Sequence, residues 1–217
     1  IWEATDGKID SFIAGLGTGG TISGTGKYLK EKAVETGRTV RVVGPDPFGS
    51  IYKEAHEKGE WSTPSLYRVE GIGHDFMVDT LDLTVVDEVI NISDRDSFLT
   101  ARRLARHEGI LSGGSTGTVF AGALQEARKL GPGKIVVAIV CDSGDRYISK
   151  CFNDEWMRDM GYFAPEAHLG TVQELLDTRN QDVSFASPNE TLRDVIARMA
   201  AKGISQMPVT SGNGDLR

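Results

Sequence analysis

Short apolar runs alternate along the chain with longer stretches of helical spacing. Residues 9–14 make a compact apolar run, closed by the glycine-rich turn at 15–20, and read as a buried strand. Residues 21–34 follow with Ile22, Tyr28 and Leu29 at helical spacing and with lysines and glutamates on the opposite face. Residues 40–44 give a second strand, closed by the turn-rich Pro45, Asp46, Pro47, Phe48 and Gly49. Strand, helix and strand in this order need a crossover, which predicts parallel pairing and an α/β fold with an open parallel sheet and flanking helices.

A loop-rich stretch covers residues 59–82, and residues 85–92 alternate as a strand does. Ser93, with Asp96 three positions on, predicts the N-cap of a helix that runs through Arg106 and stops at Gly109. Residues 113–117 open a further helix that extends to about Leu130, where Gly131, Pro132 and Gly133 end it. Residues 134–141 carry the longest apolar run and are expected to form a central strand. That run ends in the polar turn Asp142, Ser143, Gly144, Asp145. Residues 152–160 read as a helix.

The pattern then changes. Residues 161–170 have no periodicity and contain Pro165, as a linker would. Beyond them come a short helix at 171–176, a short strand at 182–186 and an amphipathic helix at 189–202 with Leu192, Val195, Ile196 and Met199 on one face. Residues 206–210 read as a strand leading into a hairpin signal at 211–215. Two units are therefore expected, 1–163 and 171–217, joined by a linker at 164–170.

Composition narrows the classes. The 39% hydrophobic and 25% charged content over 217 residues is that of a globular chain able to bury a core. A net charge of −7, without a block of Lys and Arg interleaved with aromatics, argues against a nucleic-acid surface. No apolar run has the length of a membrane span, and the first residues lack the pattern of a secretory signal. Two cysteines, Cys141 and Cys151, fit a reducing, cytoplasmic setting better than a disulfide scaffold, and the four histidines show no metal-ligand spacing. The absence of an initiator Met and the start in what reads as mid-helix are taken as the marks of a fragment.

The turn at 15–20 carries the first candidate chemistry. A helix N-terminus offers unpaired N–H groups and the positive end of its dipole, which together favour an anion. Gly17, Gly19 and Gly20 let the backbone approach closely, and Thr18 and Thr21 add hydroxyl donors. The spacing Gly15, Gly17, Gly20 also matches the dinucleotide fingerprint, with Asp46 placed where a ribose-binding acid could sit, although a turn between two prolines explains Asp46 equally well. A Walker A loop is excluded, because no Gly-Lys-Ser/Thr follows. Ser143, at the C-terminal end of the strongest strand, could donate to a heteroaromatic nitrogen while the glycine loop holds a phosphate. That pairing would suit pyridoxal phosphate. A simple helix-capping role for residues 142–145 is an even alternative.

Together, Gly17-Thr18-Gly19-Gly20-Thr21, the run from Tyr67 to Phe76 (Tyr-Arg-Val-Glu-Gly-Ile-Gly-His-Asp-Phe), Gly113-Gly114-Ser115-Thr116-Gly117, and Asp142-Ser143 resemble the cystathionine β-synthase and cysteine synthase family. The stretch from Arg146 to Lys150 and that from Asp154 to Met157 match as well, and the resemblance covers residues 1 to about 163. The run 69–76 and the tail lie closer to the cystathionine β-synthase branch. Residues 171–217 resemble the front part of a CBS domain, a regulatory module that normally works in tandem pairs.

The resemblance implies a fold-type II enzyme dependent on pyridoxal 5′-phosphate. Gly17, Thr18, Gly19, Gly20 and Thr21 would bind the cofactor phosphate and Ser143 the pyridine nitrogen, while Gly71 and His74 would belong to a mobile substrate loop where relatives often have Tyr in place of His74. Glu70 would be a structural ion-pair partner, and residues 113–117 would line the substrate end of the pocket or only begin a helix. The implied reaction is β-replacement, joining serine and homocysteine to cystathionine in cysteine biosynthesis by transsulfuration, with O-acetylserine and sulfide as the alternative substrates. The parent would be a homo-oligomer, a dimer or tetramer, and a complete CBS pair would be the place for an adenosyl ligand.

One part of the family's pattern is absent. No Ser-x-Lys-Asp/Glu-Arg motif, the setting of the Schiff-base lysine, occurs in the sequence. Lys150 occupies a different family position, and Lys8 and Lys27 are expected on the surface. A lysine amine is needed to hold the cofactor and to move the substrate α-proton, so this chain is expected to be inert on its own. A nucleotide-binding oxidoreductase and a non-catalytic regulatory fragment remain the readings from other classes.

Overall fold

The computed structural model describes residues 1–163 and 184–211. The chain divides into two compact units, residues 1–165 and 166–217.

In the first unit four parallel strands lie in the order β3-β2-β1-β4. They are β1 (Ser11–Ile13), β2 (Arg41–Pro47), β3 (Glu88–Ile92) and β4 (Val136–Ala138). Register is fixed by the apolar alternation: Phe12 pairs with Val42 and Ile13 with Val43. Phe12 and Val42 face one core, shared with Ile22 and Leu29 of α1 (Gly20–Glu35) and with Tyr52 of α2 (Tyr52–Lys58). Ile13 and Val43 face the other core, against Val119 and Ala123 of α4 (Gly114–Leu130). The sheet is thus covered on both faces, as parallel sheets require. Each side chain such as Phe12, fully buried, contributes roughly 2–3 kcal/mol.

Helix α3 (Asp94–Glu108) lies against α4 more intimately than any other pair of elements. The cause is Gly117, where a Cβ would fall 1.9 Å from the Ser97 carbonyl oxygen. The ends of α3 follow the local chemistry read from the sequence. The Ser93 hydroxyl accepts from the Asp96 amide at 3.0 Å, and Gly109 turns the chain with a φ of 69°. A smaller cluster seats α5 (Asp154–Asp159), with Phe98, Trp156 and Tyr162 in mutual ring contact.

Three expectations are corrected. The run 134–141 does not form a central strand: β4 is three residues long, half-buried, and at one end of the described sheet. Ile135 and Val140, the residues that made the run look enclosed, are 37% and 48% exposed. An apolar run reports strand character but not strand position. The strand expected from residue 85 begins at Glu88, because Asp82 caps a short 3-10 turn at Leu83–Val85. Helix α2, unanticipated, closes with Gly59 at a φ of 69°.

In the second unit α6 (Leu192–Lys202) is capped by Thr191, whose hydroxyl accepts from the Asp194 amide and donates to its carboxylate at 2.7 Å. Ala186 bridges Val209 in parallel. Leu192 and Ile196 of the expected apolar face are exposed among the described residues. The expected helix at 171–176, the first two residues of the strand at 182–186 and the hairpin signal beyond 211 lie outside the described residues.

Candidate active site

All four strands point their C-terminal ends the same way, and loops gather there, where open parallel sheets present ligand sites. A cavity of about 200 Å³ opens at that edge. Its floor is Ala14 and Gly15 from the end of β1, its wall the loop Gly17 to Thr21, and its other sides Gly71, Ile72, Ile139 and Cys141. The five residues expected to grip an anion are thus brought together, and Gly71 joins them.

The loop is shaped for that purpose. Gly19 has a φ of 88°, and a Cβ there would lie 2.4 Å from the Leu81 backbone, so only glycine fits. Among the described residues, the amides of Gly17 through Thr21 donate to no protein acceptor. Thr18, Gly20 and Thr21 are exposed. From behind, the Tyr52 hydroxyl donates to the Gly17 carbonyl at 2.9 Å and the Thr80 hydroxyl to the Thr18 carbonyl. Among the described residues no acidic side chain and no lysine lines the cavity. An anion therefore meets free donors and the positive end of α1 without a repelling carboxylate.

The other expected site residues fall differently. Ser143 is exposed and is not part of the cavity wall. It stands before a short 3-10 turn at Gly144–Tyr147, and its hydroxyl helps hold the Asp145 carboxyl below its usual range. His74 lies off the cavity lining, its ring against Tyr52 and Phe76 at centroid distances of 6.0 and 4.9 Å. Glu70 pairs with Lys150. Lys8 and Lys27 are exposed, and Lys8 pairs with Asp6 at 3.4 Å. Residues 113–117 form the first turn of α4, and there Ser115 is buried. The Thr116 hydroxyl accepts from the Cys141 amide at 2.9 Å, and Ser115 interacts with the Cys141 thiol, whose pKa burial pushes up. This turn thereby reaches the cavity through Cys141.

Sequence reasoning missed Tyr52 and Cys141 as parts of this region. The helical signal around Tyr52 was present in the Lys53–Glu57 and Glu54–Lys58 pairs one turn apart and in Gly59. Asp46 is fully buried, which removes it from reach of a ribose.

A doubly covered parallel sheet with a glycine loop and a helix N-terminus at its C-terminal edge defines a binder of a phosphorylated cofactor or nucleotide. The family model for "Pyridoxal-phosphate dependent enzyme" matches residues 1–142, and the chain belongs to that family. It is 38% identical over 219 residues to cystathionine beta-synthase of Mus musculus, covering 99% of this chain and 38% of that protein. It is 35% identical over 222 residues to cystathionine beta-synthase of Dictyostelium discoideum, covering 97% of this chain and 43% of the relative. An O-acetylserine dependent cystathionine beta-synthase of Bacillus subtilis is 41% identical over 150 residues, covering 69% of this chain and 45% of the relative. The chain spans about two fifths of the length of these relatives.

Proposed function

We propose that this chain provides the cofactor-phosphate side of a cystathionine β-synthase that joins serine to homocysteine. The observation that carries the reading is the wall of unpaired amides from Gly17 to Thr21 at the start of α1, in a cavity without acidic residues. The residues fit the phosphate of pyridoxal phosphate: the glycines leave room where a Cβ would intrude, and Thr18 and Thr21 add hydroxyls.

Gly17 to Thr21 would hold the phosphate. For the ring nitrogen we keep Ser143, which follows β4 on the C-terminal side of the sheet, just before the turn at Gly144–Tyr147. A serine hydroxyl at that nitrogen leaves it largely unprotonated, which moderates the ring as an electron sink and suits loss and replacement of a β-substituent. When bound, the cofactor supplies that electron sink to an amino acid attached to it. Gly71 would border the substrate, and His74 would act through the position of its loop.

Among the described residues no lysine lines the cavity, and we read this part of the site as holding the cofactor without fixing it covalently. The chain alone would be inactive. The likeness to an O-acetylserine dependent relative keeps O-acetylserine as the alternative amino-acid substrate. The motif after Gly203 (Ile-Ser-Gln-Met-Pro-Val) supports reading the second unit as the front of a CBS regulatory module, with a cytoplasmic homo-oligomeric parent and an adenosyl ligand at a complete pair.

Equilibrium dialysis tests the reading. Pyridoxal phosphate should be retained and pyridoxal, which lacks the phosphate, should not, with inorganic phosphate competing. Borohydride should leave no cofactor attached to a cavity residue. Equal retention of pyridoxal, or retention of a nicotinamide dinucleotide in preference, would defeat the proposal.

A further inference from the structure

Asp46 is the feature of the first unit that the reading above leaves without a task. Its carboxyl group has no solvent exposure, and neither oxygen has a hydrogen-bond partner of good geometry. The Ser50 hydroxyl and the Lys53 amide are the nearest groups that favour its ionised form, and desolvation outweighs them. Its register partner on β3 is Asn91, whose Oδ1 is also buried without a donor. Neighbours on one face of a parallel pair lie side by side. Neither oxygen of Asp46 is paired, so an ionised Asp46 would be a buried charge without a donor in good geometry, and a proton on it removes that charge.

Ser50 connects this group to the cavity. Its Oγ accepts from the His74 amide at 3.2 Å and from the Tyr52 amide at 3.5 Å, which uses both lone pairs and leaves its proton to be donated. The Ile51 amide donates to the His74 carbonyl at 3.1 Å, so this segment grips His74 on both sides. Tyr52 in turn holds the Gly17 carbonyl, and the Gly73 amide donates to the Leu16 carbonyl at 2.6 Å. The segment 46–52 therefore joins the glycine loop to the loop that carries Gly71, the two sides of one cavity.

We propose that Asp46 is a positioning residue of the cofactor cavity, which as the neutral acid sets Ser50 and through it the spacing of the glycine loop and the 70–76 loop. This deepens the proposed function and rests on it for the identity of the ligand. Ionisation places a desolvated charge beside Ser50, and the groups that face it are few. From α2 come Lys53, whose ammonium is held by Glu57 and the Val89 carbonyl, and Tyr52. From the loops come Tyr67, itself near Asp75 and Asp94, and His74 by way of Ser50. His56 of α2 is held by the Val86 carbonyl. Burial raises the Asp46 pKa to about 7, within the range where the change of state can be observed.

The test compares the wild-type protein with Asp46→Asn, whose amide copies the neutral acid and cannot ionise, from about pH 5.5 to about pH 8.5. Two quantities are read: pyridoxal phosphate affinity by dialysis and, without cofactor, the chemical shift of the His74 backbone amide. Titration of the ligand itself cancels in the ratio of the two proteins. The affinities should agree at the acid end, and the wild type should fall behind as pH rises, by roughly thirtyfold at about pH 8.5 if only the neutral form is competent. The His74 amide should shift with pH in the wild type and lose that component in Asp46→Asn.

A ratio that stays flat with pH, or Asp46→Asn binding weakly at every pH, would overturn the proposal. So would a gain in wild-type affinity on adding potassium or magnesium ions, since the carboxylate would then serve a cation. If neither protein retains pyridoxal phosphate while the His74 shift behaves as expected, the proposed function fails and the role of Asp46 in placing the loops stands.

Discussion

Adjacent glycines in the phosphate loop are expected to respond very unequally to the same substitution. Gly19→Ala forces a Cβ onto a residue with a φ of 88°, at a cost of about 1–2 kcal/mol. The new atom would also sit 2.4 Å from the Leu81 Cα and 2.6 Å from its Cβ. The first of these is backbone, which cannot rotate away, so overpacking adds about 1–3 kcal/mol. The sum, about 2–5 kcal/mol, is a large share of the stability of an ordinary domain. Gly20→Ala meets nothing within 4 Å and lies in the first turn of α1, so its effect should stay within about 0.5 kcal/mol. Urea unfolding followed through Trp2, partly buried against the core shared by β1 and α1, reports on both. With an m-value of about 2 kcal/mol/M, Gly19→Ala should lower the midpoint by about 1–2.5 M. Equal midpoints for the two variants would refute the argument that this turn is shaped by contact with Leu81.

Tyr52→Phe removes the donor to the buried Gly17 carbonyl and should cost about 1–2 kcal/mol in urea unfolding, with weaker retention of inorganic phosphate by dialysis. Arg41→Leu leaves Glu126, fully buried, without the guanidinium that binds it at 2.6 Å, and only the Ser11 hydroxyl remains. Because Arg41 is itself 41% exposed, the loss should be about 2–4 kcal/mol, and Arg41→Leu with Glu126→Leu should recover part of it in a double-mutant cycle. Asp46 predicts a pH dependence of stability. Its folded pKa of about 7 lies above its ordinary 3.8, so between these values the folded state holds more protons than the unfolded state. Stability from this group is present below about pH 4, falls as pH rises towards about 7 and is constant above, a change of about 4 kcal/mol at 1.36 kcal/mol per unit. The stability of Asp46→Asn relative to wild type should rise over that window, and a constant difference would rule the carboxyl group out as its source.

What was legible in the sequence was what short-range chemistry decides. Ser93 and Asp96 marked the start of α3, Gly109 and Gly131 marked the ends of α3 and α4, and the strand-helix-strand order gave the parallel pairing of β1 and β2. Placement across the chain was not legible. Nothing local to residues 134–141 states that Ile135 and Val140 remain exposed. Ser143 and Ser115 are both serines in polar turns near a strand end or helix start. Only the packing of α4 decides that Ser115 is buried beside Cys141 while Ser143 faces outward to Asp145. Helix α2 was hidden because Pro45 to Gly49 read as a turn, whereas β2 runs on to Pro47, and its first residue, Tyr52, owes its role to a partner 35 positions away.

That partner explains how the grip is made. In a trans peptide the N–H points opposite to the preceding C=O. The Gly17 carbonyl is held by Tyr52 and the Thr18 carbonyl by Thr80, two residues that do not line the cavity. The amides of Thr18 and Gly19 therefore point away from those hydroxyls, and no protein acceptor among the described residues meets them. Glycine alone would make the loop permissive, able to present carbonyls as readily as amides. The two hydroxyls select the orientation that suits an anion, and they do so before any anion arrives. The affinity of the site for phosphate therefore depends on residues that do not line it, and α2, which bears Tyr52, is held in turn by the segment from Asp46 to Ile51. The glycine motif states that an anion can be bound. The tertiary contacts of its carbonyls fix which way its amides point.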